Sequence, residues 1–123
     1  MYDKEIVLEI LQQIHEAAQR VVARFEPVAA VEDFTNSEDG IGRLDSICMV
    51  LIAIGESLKN VDRITDKSLL SQYPEIDWKG AMGMRDIITH HYFDIDAEEI
   101  FWVCTHQIKP LADTIAKIIR DLN

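Results

Sequence analysis

Between positions 85 and 92 an arginine, an aspartate, two histidines and a tyrosine stand in one short stretch, Met84-Arg85-Asp86-Ile87-Ile88-Thr89-His90-His91-Tyr92. These residue types suit phosphodiester cleavage without a metal. Histidine titrates near neutral pH, so His90 can take a proton from a ribose 2′-hydroxyl or return one to a leaving oxygen. Arginine stays charged and offers a planar fork to a phosphoryl group gaining charge in the transition state, the part open to Arg85. Asp86, four residues before His90, is spaced to orient its ring and favour its protonated form. Tyr92 can hydrogen-bond a phosphate or carry a modification.

The spacing also sets a constraint. On a regular helix Asp86 lies beside His90, Ile88 beside Tyr92, and Arg85 lines up with Thr89 and Tyr92. Arg85 and His90 are five apart and point roughly 140° away from each other at about 100° per residue. For both to act on one phosphate, the helix must end near His90, or a second chain must supply half of the site. A symmetric dimer would bring two copies of the motif to one axis.

Each residue has a structural account beside the chemical one. His90 can bond spare carbonyls at a helix C-terminus, and His91 can face solvent or cap the helix. Arg85 can pair with an acid on a neighbouring helix, since the chain has 22 of them. His15 and His106 lie on long helical patterns and need no functional explanation. His90, His91 and Asp94 have no standard metal-ligand spacing, so no metal is expected.

The elements that must position this stretch read as amphipathic helices. Val7, Leu11, Ile14, Ala18, Val21 and Phe25 alternate spacings of four and three, predicting a helix from about Asp3 to Glu26 packed lengthwise on another. Asp3 suits its N-cap and Pro27 lies just past its end. The polar run from Glu32 to Gly40 reads as a connection whose one aromatic, Phe34, tucks onto the core. A second helix is predicted from about Ile41 to Asn60, with Leu44, Cys48, Leu51, Gly55 and Leu58 as its stripe, broadened by Ile47, Val50 and Ile54. Gly55 costs up to about 1 kcal/mol against alanine there, which fits a close backbone neighbour. Glu56, next to it, reads most simply as a solvated position.

Thr65 is expected to cap a short helix that Tyr73-Pro74 ends. Asp77 caps a helix that starts at Trp78 and carries the motif. Asp94-Ile95-Asp96 is a turn, and Asp96 with Glu99 resembles a capping box for a last helix. Phe101, Cys104, Ile108, Leu111, Ile115, Ile118 and Leu122 form its seam. Pro110 lies inside it and predicts a kink, because it lacks an N–H and crowds the carbonyl of His106. Lys117 and Arg120 suit the negative C-terminal end of the helix dipole. No strand pattern or internal repeat is present. The reading is all-α: an antiparallel four-helix-bundle-like domain over 1–123 with one additional short helix.

Composition narrows the function. The balance of 12 Lys and Arg against 22 Asp and Glu leaves a net charge of −10. Non-specific nucleic-acid affinity comes mostly from counterion release at a basic surface, which this chain cannot supply globally. Any RNA contact must be local, around Arg85 and Lys79, or shared with a second subunit. No apolar run approaches the roughly 20 residues of a membrane helix. The N-terminus has no signal-peptide pattern, and the expected location is cytoplasmic. Cys48 and Cys104 fall in apolar patterns and read as buried free thiols.

Arg85, four intervening residues, His90, one more and Tyr92 match the R-x4-H-x-Y pattern of HEPN proteins (higher eukaryotes and prokaryotes nucleotide-binding). The flanks narrow the likeness. Tyr-Pro-Glu-Ile-Asp-Trp (73–78), Gly-Met-Arg-Asp (83–86), His-His-Tyr-Phe-Asp-Ile-Asp (90–96), Ile108-Lys109-Pro110-Leu111 and Ile54-Gly55-Glu56 resemble HepT-like toxins that travel with a minimal nucleotidyltransferase antitoxin. That resemblance implies a homodimeric, metal-independent endoribonuclease with no cofactor and a composite site between protomers, acting on tRNA or other cellular RNA. By position it makes Arg85 and His90 the catalytic pair, Asp86 the polar residue after the arginine, and Tyr92 the tyrosine that the antitoxin adenylylates. Added AMP would bring negative charge and bulk to the place an RNA phosphate must occupy. His91 departs from the family's usual glycine or other small residue. The alternative is a non-catalytic HEPN module that binds a nucleotide or the nucleotidyltransferase.

Overall fold

A computed structural model describes residues 2–91 and 93–123. Its described residues form six helices and a single 3₁₀ turn: α1 (Lys4–Phe25), α2 (Glu32–Thr35), α3 (Glu38–Ile64), the turn Leu70–Gln72, α4 (Trp78–His90), α5 (Ala97–His106) and α6 (Ile108–Leu122). The all-α architecture is the one the periodicity predicts, and no strand occurs among the described residues. None of the helices is long and apolar enough to cross a membrane.

The two lengthwise seams face each other. Val7, Leu11, Ile14, Ala18 and Val21 of α1 are buried, as are Ile108, Leu111, Ile115 and Ile118 of α6. The helix α3 covers α1 on one side and α4 on the other, which is why its apolar face is broad. Removing each buried Leu or Ile from water contributes roughly 1.5–3 kcal/mol, so these seams dominate the stability of the bundle. Phe34 is fully buried and packs 6.1 Å from the ring of Phe25, which meets Phe101 edge-on at 5.3 Å.

Caps mark the starts. The Oδ1 of Asp3 accepts from the N–H groups of Glu5 and Ile6, that of Asp77 from Gly80, and that of Asp96 from Glu98 and Glu99. Each such cap is worth about 1 kcal/mol.

The polar connection and both ends of α3 differ from the sequence reading. The polar connection contains α2, and Ser37 starts α3 before Ile41 by accepting from the N–H of Gly40 at 3.0 Å. Gly40 is required by closeness: a Cβ there would run into the carbonyl of Asp33. At the other end α3 continues to Ile64, because Val61 extends the buried stripe one more turn.

Thr65 does not begin a helix. It ends α3, its hydroxyl donating back to the Val61 carbonyl at 2.8 Å. Asp66 and Lys67 then adopt left-handed φ values of 51° and 61°. The N–H of Asp66 bonds to the Arg63 carbonyl and that of Lys67 to the Asp62 carbonyl, a Schellman stop built without glycine. The expected short helix is reduced to the 3₁₀ turn.

The last predicted helix is interrupted at Gln107 and becomes α5 and α6. Pro110 explains the interruption. It falls in the first turn of α6, where a missing N–H is harmless, whereas in an unbroken helix it would collide with the His106 carbonyl.

Candidate functional site

The site is built where α4 lies on α3. Gly55 makes this possible: a Cβ at that position would sit 3.2 Å from the Met82 carbonyl, 3.3 Å from the Ala81 carbonyl and 3.4 Å from the Cβ of Arg85. The close backbone neighbour implied by a mid-helix glycine is therefore α4. Packing at this distance sets the next residue of α3, Glu56, beside Arg85.

Arg85 is held by two carboxylates. Its Nε lies 2.9 Å from Oε2 of Glu56, and its Nη1 lies 3.1 Å from Oδ1 of Asp86. Lys59, one turn along α3 from Glu56, places Nζ 3.6 Å from Oδ2 of Asp86. The result is a chain of alternating charges, Glu56–Arg85–Asp86–Lys59, spanning the two helices. All four side chains are between 39 % and 52 % exposed, so the network is in contact with solvent and each pair is individually weak. Lys59 first, and then Arg85, hold the Asp86 carboxyl below its ordinary pKa.

His90 is the last residue of α4, exposed, and His91 follows as its C-cap. The last turn is closed from within: the N–H of His91 bonds to the Ile88 carbonyl at 3.3 Å, and the hydroxyl of Thr89 donates to the Arg85 carbonyl at 2.8 Å. Ile88 is buried and anchors this end. The carbonyl of His91 accepts from Asp94 as the chain turns toward α5. Tyr92, the motif's tyrosine, lies outside the described residues.

The structure therefore meets one of the two conditions set by spacing, because the helix does end at His90. It does not join Arg85 and His90 within the chain. Among the described residues no hydrogen bond or ion pair links His90 to Arg85 or to Asp86. The carboxylate of Asp86 engages Lys59 and Arg85 instead of the imidazole four residues on. Two residues of the network carried no functional reading in the sequence, Glu56 and Lys59. The available signal was their separation of three on the helix face marked by Gly55.

One hollow lies at the His91 end of α4, and a second adjoins it between α2 and the turn before α5. One is lined by His91, Asp94, Asp96 and Glu99 together with Ile87 and Ile95, and the other by Glu32, Asp94, Asp96 and Glu98. Among the described residues no group of three or more His, Cys, Asp or Glu side chains is placed to hold a metal ion. The thiols of Cys48 and Cys104 are buried and free, both pushed up to about 12 by that burial.

An all-helical bundle with an arginine and a histidine at the end of one helix, spaced R-x4-H-x-Y, is of the HEPN class. Residues 14–118 match the family model described as Ribonuclease HepT-like, and the chain belongs to that family. Three proteins of Methanocaldococcus jannaschii are similar to it. "Putative RNase MJ0127" is 33 % identical over 72 residues, 58 % of this chain and 56 % of that protein. "Putative RNase MJ0125" is 31 % identical over 77 residues, covering 63 % of each. "Putative RNase MJ1216" is 30 % identical over 77 residues, 63 % of this chain and 60 % of its own. The chain thus spans less than two thirds of the length of each of these relatives. No solved structure matches significantly.

Proposed function

We propose that this protein is a metal-independent endoribonuclease, the toxin half of a prokaryotic toxin–antitoxin pair, with Arg85 and His90 as its catalytic residues. The observation that carries this reading is the position of Arg85 and His90 on α4. The helix stops at His90, leaving the imidazole exposed, while Arg85 stands half-exposed one and a half turns earlier in ion pairs that a phosphate can replace. Membership of the Ribonuclease HepT-like family and the three relatives named as RNases support the same reaction class.

In this reading His90 takes the proton of a ribose 2′-hydroxyl. The freed oxygen attacks the adjacent phosphorus, and the P–O5′ bond breaks. The leaving 5′-oxygen takes a proton from a histidine in its imidazolium form, and the products are a 2′,3′-cyclic phosphate and a 5′-hydroxyl. Arg85 neutralises the charge that builds on the phosphoryl oxygens. Two motifs from two protomers would supply the base and the acid together. An apolar groove beside the motif favours such a homodimer: Ile41, Met49, Ile52, Ile88, Phe93 and Ile95 line a hollow of about 490 Å³, with Met49 72 % exposed. The RNA substrate, tRNA in the first instance, and silencing by adenylylation of Tyr92 through a nucleotidyltransferase partner belong to the same proposal.

The test is RNA cleavage by purified protein in EDTA, beside His90→Ala and Arg85→Ala. Cleavage by the unsubstituted protein alone is expected. If none of the three cuts any of several RNAs, with Tyr92 verified free of AMP by mass spectrometry, a non-catalytic HEPN module becomes the better reading. The net charge of −10 and the two acids already on Arg85 are what favour that second reading. Light scattering tests the dimer, and a clean monomer at micromolar concentration would remove the composite site. Co-expression with the neighbouring nucleotidyltransferase should add the mass of AMP to Tyr92.

A further inference from the structure

The chain has six lysines, and three of them, Lys59, Lys67 and Lys79, line one groove. It has a volume of about 620 Å³ and lies between the end of α3 and the start of α4, with Trp78, Ser71 and Asp86 also in its walls. That size falls in the range of about 300–1,000 Å³ seen for ligand clefts. The groove's acids are Asp62 and Asp86, so three cations face two anions and the groove is net positive in a strongly acidic chain. Asp86 connects it directly to the site, because the same carboxylate pairs with Lys59 inside the groove and with Arg85 next to it.

The other side of α4 has the opposite character. The hollow at His91 is lined by Asp94, Asp96 and Glu99, the adjoining one between α2 and α5 by Glu32, Asp94, Asp96 and Glu98, and neither has a lysine or an arginine among its described lining residues. A polyanion reaching Arg85 is repelled from that side and attracted to the lysine side. Trp78 adds an aromatic surface. Its indole N–H donates to the Tyr73 carbonyl at 2.9 Å, which fixes the ring at the groove wall. Cations along a track together with a fixed aromatic ring are the means by which single strands are held without sequence readout.

We propose that this groove is the strand-binding subsite of the enzyme: Lys67 and Lys79 pair with RNA phosphates flanking the one at Arg85, and Trp78 stacks a base. The proposal rests on the ribonuclease reading of Arg85 and His90. It gives the bound strand a direction, from the motif toward the junction of α3 and α4 and away from the acidic turn.

Binding of a fluorescein-labelled single-stranded RNA of mixed sequence tests it, with every protein carrying His90→Ala to prevent turnover. Lys67→Gln/Lys79→Gln is compared with Lys4→Gln/Lys109→Gln, which removes the same charge elsewhere on the surface. The groove pair is expected to weaken binding roughly tenfold and to make the slope of log K against log salt shallower by about 1.4, two contacts at about 0.7 each. The control pair should change neither substantially. Equal losses in both pairs, or no loss in the groove pair, would overturn the subsite. If the protein with His90 intact still cleaves RNA in either case, the ribonuclease reading survives. RNA neither bound nor cut by any form would bring down both.

Discussion

The Nε of Arg85 lies 2.9 Å from Oε2 of Glu56, joining the motif helix to the helix beneath it. The cation that would engage a phosphate is thus already occupied on one edge, and Asp86 occupies another. Both contacts are solvent-exposed and individually weak, in the range of about 0–1 kcal/mol for surface pairs. A phosphate that displaces one of them loses little.

Glu56→Gln should therefore loosen the hold on Arg85 with little effect on folding. The expected outcome is a two- to fivefold lower KM for RNA, less change in kcat, and stability within about 1 kcal/mol of the parent. Steady-state cleavage and a urea melt check this. A large fall in kcat would mean instead that Glu56 orients Arg85 for the reaction.

Arg85→Lys keeps the charge and removes the fork. An ammonium is a point charge and cannot present two parallel N–H groups to a phosphoryl group. Activity should drop by a factor of about 100, the size of losing one transition-state donor, while the melting curve stays near that of the parent. Lysine at full activity would show that charge alone is required.

Gly55→Leu should act on both stability and site. The extra side chain meets the Met82 and Ala81 carbonyls and forces α4 away from α3. A loss of about 1–3 kcal/mol is expected, seen as a lower urea midpoint at unchanged m-value. RNA cleavage should fall further than stability alone explains, because Glu56 and Arg85 no longer meet. Wild-type stability in this variant would show that the contact is not tight.

At high pH the fold should weaken in a defined window. Burial pushes Cys48 and Cys104 up to about 12, and burial together with the Asp121 carboxylate, 2.7 Å from its hydroxyl, pushes Tyr73 up to about 12. In the unfolded chain these groups lose their protons near about 8.5 and 10. The native state then binds more protons, so stability falls with rising pH. The contribution is intact below about pH 8.5 and is lost progressively toward pH 12. Tyr73→Phe should lower stability by about 1–2 kcal/mol at neutral pH and flatten the decline above pH 10. Urea melts across this range check the slope. The same burial predicts that neither thiol reacts with iodoacetamide at neutral pH in the native protein, whereas both react in urea.

Much of the fold was legible because helices announce themselves locally. The α1 and α6 seams, the caps at Asp3, Asp77 and Asp96, the burial of Phe34, and a break in regularity near Pro110 follow from periodicity and steric rules, although the sequence pattern predicts one kinked helix where the structure has two. The failures have local causes too. A Schellman stop usually carries glycine, and here Asp66 and Lys67 take the left-handed positions, so Thr65 has the sequence pattern of a helix start but stands at a helix end. The early beginning of α3 depends on Ser37 and on α2 folding against Gly40, a contact between separate segments.

For the site, sequence alone determined which residues could do the chemistry and that Arg85 and His90 must diverge by about 140° unless the helix ends. It also marked Gly55 as a position that suits a close backbone neighbour. Only the tertiary structure decided that this neighbour is α4, that Asp86 turns to Lys59 and Arg85 and not to His90, and that Glu56 holds the arginine. The reason is physical. Residue type and helical phase are properties of one segment, whereas an ion pair between helices depends on how closely two backbones pack, and here the missing Cβ of Gly55 sets that distance.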